Sequence, residues 1–105
     1  MTKFEKSSGN VFQDLGFSNA NEMLAKAELA RRIGTLIKRR GLNQAEAGAL
    51  LKIDQPKVSA LINGRLTAFS TERLMKFLKA LGQDVRIVVR PKPRGRAGQI
   101  KVAAE

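Results

Sequence analysis

Cysteine, histidine, tyrosine and tryptophan are all absent from this chain of 105 residues. Without Cys there is no disulfide and no thiolate metal ligand, which suits a reducing compartment. Without Cys or His the commonest nucleophile, general base and zinc ligands are missing, and the nine carboxylates are scattered without a close constellation. Neither an enzyme nor a metal or cofactor site is expected from such a set. No run approaches the ~18 apolar residues of a membrane span. The opening stretch MTKFEKSSGNVFQDLGF has no apolar centre of the secretory kind, so a cytoplasmic location is the expectation. Acidic side chains are scarce too: nine face twenty Lys and Arg, a net charge of +11. So large an excess repels itself in a folded chain and favours a polyanionic partner, nucleic acid or an acidic protein surface.

The excess is unevenly placed. Residues 1–30 carry a net charge of −1, residues 31–66 +6, residues 67–90 +3 and the last fifteen +3. The length suits a single small core. Composition divides the chain into an N-terminal arm (1–17), a folded domain (18–90) and a basic tail rich in Pro and Gly (91–105), expected to be mobile or to order only on binding.

Local signals predict mainly helix. In the arm, Phe12, Leu15 and Phe17 can cover an apolar surface, and the segment reads as a short strand or an irregular arm. Asn19 with Glu22 three residues later reads as a capping box. The helix it opens has Met23, Ala27, Ala30, Ile33 and Ile37 as its inward stripe, and Gly41 closes it in a left-handed conformation. Lys38, Arg39 and Arg40 place positive charge at its negative end. Asn43 caps a second helix, QAEAGALL, whose Gly48 costs up to ~1 kcal/mol of propensity, tolerable where another helix crosses closely.

After Lys52 and Ile53, Asp54 caps a third helix with Pro56 in its first turn, where a missing N–H does no harm. Leu50, Leu51, Val58, Leu61 and Ile62 are assigned to the core. Ser70 caps a fourth helix, TERLMKFLKAL, with Phe69 and Leu74 spaced as a hydrophobic staple. DVRIVVR then alternates, with Val85, Ile87 and Val89 on one face, and reads as a strand closed by Pro91. A lone strand needs a partner, either residues 11–15 or the same segment of a second copy, which makes Val85, Ile87 and Val89 the expected dimer strand.

Two short helices joined by a tight turn in the basic middle of the chain match a DNA-binding helix-turn-helix. Gly41–Arg65, GLNQAEAGALLKIDQPKVSALINGR, resembles that of the XRE family, the Cro/cI-like repressors. Gln44, Gly48, Ile53, Val58, Ser59, Leu61 and Asn63-Gly64 stand at the family's characteristic positions. Lys52 stands where the family usually has Gly. Over about residues 9–93 the flanks are similar to HigA-type antitoxins, small autorepressors encoded beside RelE-like or HigB-like toxins.

The resemblance implies a lambda-repressor-like bundle of four to five helices with a C-terminal β-strand. It places Gln55, Pro56, Lys57 and Ala60 on bases and Ser59 beside a base or a phosphate. From their places at the helix ends Asn43, Gln44, Asn63 and Arg65 are the phosphate candidates, and because one recognition helix makes too few contacts a homodimer on a palindromic operator is expected. Gln55 is the strongest candidate reader, since a Gln amide pairs bidentately with adenine. The plainer reading takes Gln55 and Lys57 as the solvated face of an amphipathic helix, Gln44 as a capping contact, Asn63 as a turn residue, and Arg39 with Arg40 as dipole compensation. Three functions compete on these observations: a sequence-specific autorepressor, a protein-binding antitoxin with a secondary DNA role, and a nonspecific nucleoid-type or RNA-binding protein. The scarcity of aromatics weighs against single-strand stacking.

Overall fold

The computed structural model describes residues 15–103, with side chains from Ala20 onward. Four helices follow one another: α1 (Leu15–Arg39), α2 (Gln44–Leu51), α3 (Gln55–Ile62) and α4 (Thr71–Ala80). The expected strand is not formed. Among the described residues there is no strand, and Val85, Ile87 and Val89 lie in an irregular segment after α4. A strand is held by a ladder partner, and the intrachain candidate does not supply one. Leu15 begins α1, and residues 11–14 lie outside the described residues, as do Phe12 and most of the expected arm. The fold is therefore helical throughout its regular elements.

Two units divide the chain, Lys26–Pro91 and a second made of Met1–Ala25 with Lys92–Glu105. In the first, α2 packs on α3 and α4, while the second half of α1 contributes Leu29, Ala30, Ile33 and Ile37 to the buried set. Phe69, Ile33, Leu61, Leu74, Leu81 and Val58 are the largest side chains wholly withdrawn from solvent, and burial of each contributes about 1.5–3 kcal/mol. Phe69 and Phe77 meet edge to face at 5.8 Å. The Arg73 guanidinium covers both rings, 5.5 and 5.7 Å from their centroids.

The inward stripe of α1 differs from its sequence reading. Ala25, Leu29, Ile33 and Ile37 recur every fourth residue and are buried together with Ala30, whereas Met23 is 68% exposed and Ala27 also faces solvent. Apolar residues spread over most of the circumference of this part of the helix, so periodicity alone does not define its phase. The helix also begins at Leu15, which puts Asn19 and Glu22 inside it and not at its cap. Nothing between Leu15 and Asn19 obliges a helix to stop, and a capping signature is compatible with a helix interior.

All four helices close on a left-handed residue: Gly41, Lys52, Gly64 and Gly82, with φ of 67°, 62°, 77° and 85°. In each case the following amide donates back across the last turn. Leu42 bonds to the Ile37 carbonyl at 3.1 Å, Ile53 to Gly48 at 3.0 Å, Arg65 to Ala60 at 2.8 Å and Gln83 to Leu78 at 3.0 Å. These bonds satisfy carbonyls that would otherwise be orphaned at the helix ends. Arg40 makes one more such contact, its Nη2 donating to the Leu81 carbonyl at 3.3 Å. A guanidinium from the end of α1 thus neutralises the negative end of α4.

Candidate nucleic-acid interface

The helix pair α2–α3 is set by a close approach and two caps. A Cβ built on Gly48 would lie 2.6 Å from the Ile53 carbonyl oxygen and 3.5 Å from Val58 Cγ2, so only glycine fits there without a backbone shift. Asn43 Oδ1 accepts the Glu46 amide at 2.8 Å, and Glu46 Oε1 accepts the Asn43 amide at 2.9 Å, a complete capping box. Asp54 Oδ1 accepts the Lys57 amide at 3.0 Å and starts α3, with Pro56 in the first turn. The turn between the helices is made at Lys52 (φ 62°, ψ 44°), the one non-glycine with positive φ among the described residues.

Val58 and Leu61 anchor α3 in the core. Ile62, expected there as well, is 46% exposed. At about 100° per residue the two anchors define a narrow stripe, and Ile62 falls on its margin. Leu50 is half-buried and Leu51 buried.

With Val58 and Leu61 turned inward, Gln55, Pro56 and Lys57 are exposed at the N-terminal end of α3. Ser59 and Ala60 are half-buried one turn further on. Asn63 is committed to its own helix: its Nδ2 donates to the Ser59 carbonyl at 2.8 Å and to Ser59 Oγ at 3.3 Å. Its backbone is not left-handed; that role belongs to Gly64. Gln44 is exposed in the first turn of α2, and Arg65 is exposed just after α3. The Glu46 half of the capping box and the Asn63–Ser59 bond go beyond the sequence reading, although the three- and four-residue spacings signal both.

Charge is distributed to the same end. Glu28 is spent on Arg31 at 2.6 Å and Arg32 at 2.9 Å, and Glu72 on Lys76 at 3.6 Å. The hydrogen bond from Arg31, more than any other contact, holds the Glu28 carboxyl below its ordinary pKa, while Arg31 is raised in turn. Lys52, Lys57 and Arg65 have no carboxylate partner among the described residues. Their charge is left to the solvent side of the helix pair. Among the described residues no group of His, Cys, Asp and Glu could hold a metal, and no helix is long and apolar enough to cross a membrane.

A capped helix crossing at glycine, a tight left-handed turn, and a second capped helix with exposed polar residues at its start define a helix-turn-helix. The family described as helix-turn-helix domain matches residues 11–90. A solved structure named as an XRE family transcriptional regulator is 52% identical to the chain, with 83% of this chain and 99% of that chain covered and a TM-score of 0.78. None of the curated proteins matches. The chain belongs to the helix-turn-helix domain family, of the XRE type.

Proposed function

We propose that this protein is a DNA-binding transcriptional regulator that reads a palindromic operator as a homodimer and represses transcription there. The observation that carries the reading is the start of α3, where Gln55, Pro56 and Lys57 are exposed on a helix fixed by the Asp54 cap and the Gly48 crossing. Rigid elements of this kind hold a reading side chain in register better than a loop does. Gln55 pairs with an adenine edge, and Lys57 reaches a guanine or a phosphate. Ser59 and Ala60, half-buried, make shorter contacts, with Ala60 able to touch little beyond a thymine methyl. Gln44, Arg65 and the side-chain amide nitrogen of Asn43 sit on phosphates; Asn63, its Nδ2 already held by Ser59, adds to the backbone contact only through what that bond leaves over.

Gln55→Ala is expected to weaken binding to a site selected from a random duplex library by about 1–3 kcal/mol while leaving binding to random DNA nearly unchanged. Equal losses on both would remove direct readout by Gln55.

One recognition helix makes few contacts, so two copies are needed on one operator. The segment after α4 supports an assignment for where they meet. Ile87 is 73% and Val89 91% exposed, with Val85 and Val88 beside them, apolar surface that a second copy would cover. Asp84 and Arg90 bracket the segment with opposite charge, so two copies running in opposite directions complement each other. Ile87→Asp should shift sedimentation toward monomer and weaken operator binding; an unchanged oligomeric state would place the contact elsewhere.

The narrower role, an antitoxin repressing its own operon, rests on the likeness of residues 9–93 to HigA-type proteins. Co-purification of a small RelE-like or HigB-like partner supports it, and its absence from cells carrying the intact operon would reject it.

A further inference from the structure

We propose that the tail carries a second DNA site, the Arg94-Gly95-Arg96 turn, which enters the minor groove of A·T-rich duplex beside the operator; the proposal deepens the DNA-binding reading given above. Five bases and no acid lie between Arg90 and Ala103. At the centre of this run the chain turns at Gly95, with φ of 88°, so that two exposed arginines flank the tip. Nothing would meet a Cβ on Gly95. The glycine there serves the backbone geometry, and it also keeps the tip slender. Ala97 and Gly98 continue the narrow profile.

The chemistry of such a tip selects its ligand. The minor groove of B-form DNA is only about 6 Å wide, too narrow for a helix but open to a chain of small residues. In A·T tracts it narrows further, and its negative potential deepens where arginine inserts. Arginine suits that position better than lysine because its guanidinium is more weakly hydrated and sheds water at lower cost. A G·C pair places its N2 amino group in the floor of the groove and obstructs the same approach. Residues 84–105 contain no aromatic side chain, so stacking on single strands is not available to this segment.

Reach is sufficient. Arg94 lies thirteen positions beyond Leu81, a span of at most ~45 Å when extended. A neighbouring minor groove lies about half a helical turn, roughly 17 Å, from the major groove occupied by a recognition helix.

The test compares the full chain with R94A/R96A, R94K/R96K and Q55A by fluorescence anisotropy on short duplexes of A·T, G·C or inosine·cytosine pairs. Inosine·cytosine keeps the major-groove oxygen and N7 of G·C but lacks the N2 amino group. The native chain should bind the A·T and inosine·cytosine duplexes about tenfold more tightly than G·C. R94A/R96A should lose that preference, and R94K/R96K should lose most of it while keeping the salt dependence of the native chain. Equal affinity for the three duplexes, a preference that survives in both variants, or inosine·cytosine behaving as G·C would each overturn the site. If Q55A keeps full selectivity for the library-selected site while R94A/R96A abolishes the A·T preference, the recognition-helix reading fails and the tail site stands.

Discussion

Lys52 holds a conformation that side chains with a Cβ avoid. The left-handed backbone at φ 62° is the same device that Gly41, Gly64 and Gly82 provide at the other three helix ends, and for a non-glycine residue it costs about 1 kcal/mol. The exposed ammonium stands at the turn between the two helices of the motif, without a carboxylate partner among the described residues. The strain therefore lies in the turn of the helix-turn-helix itself. Lys52→Gly is expected to raise stability by up to about 0.5 kcal/mol, the relieved strain being largely offset by the freer unfolded chain. The urea midpoint measures it. A simultaneous loss of DNA affinity would show that the Lys52 charge is retained for a phosphate.

At the scale of elements, the crossing of α2 and α3 depends on one missing atom. Gly48→Ala would bring a Cβ within 2.6 Å of a backbone oxygen that cannot rotate away, so the helices must separate. We expect a loss of about 1–3 kcal/mol, seen as a lowered thermal midpoint, and weaker operator binding at temperatures where the fold persists. The crossing also illustrates what could be read in advance. Asp54, Pro56, Ser70, Gly41 and Gly82 carry strong local meaning, because caps and left-handed turns are decided by a few neighbouring atoms, and the helix ends they mark were legible, as was the crossing at Gly48. The phase of α1 was not, since Met23, Leu24, Ala25 and Leu29 offer several apolar faces and only packing selects among them. The strand at Val85–Val89 failed for a related reason: alternation describes a segment's two faces but cannot supply a neighbour. At the site, the exposure of Gln55 and Lys57 followed from the stripe of Val58 and Leu61, whereas the binding of Asn63 to Ser59 depended on a side-chain conformation that spacing only permits.

For the whole molecule the decisive quantity is uncompensated charge. Among the described residues four of the six acids are committed to local contacts: Glu28 to two arginines, Glu72 to Lys76, and Glu46 and Asp54 to caps. Few remain to neutralise the bases that face outward. Binding to duplex DNA should therefore weaken steeply with salt, with a log–log slope of roughly −5 if about six phosphates are engaged. Anisotropy titrations across a range of salt concentrations measure the slope, and a flat response would assign the basic surface to another partner.

The contact from Arg40 to the Leu81 carbonyl has a consequence for how weak interactions add. It secures the end of α4 against the end of α1, so the chain beyond Gly82 departs from a fixed post and not from a fraying helix. A tether that begins at a fixed point confines whatever follows it to a defined volume. With the helix-turn-helix seated on DNA, the proposed tail site would meet nearby grooves at an effective concentration in the millimolar range typical of short linkers. A contact too feeble to detect in the isolated tail would then lengthen the residence of the entire protein. Loosening the post with Arg40→Ala would dilute that benefit without altering any residue that touches DNA through the tail.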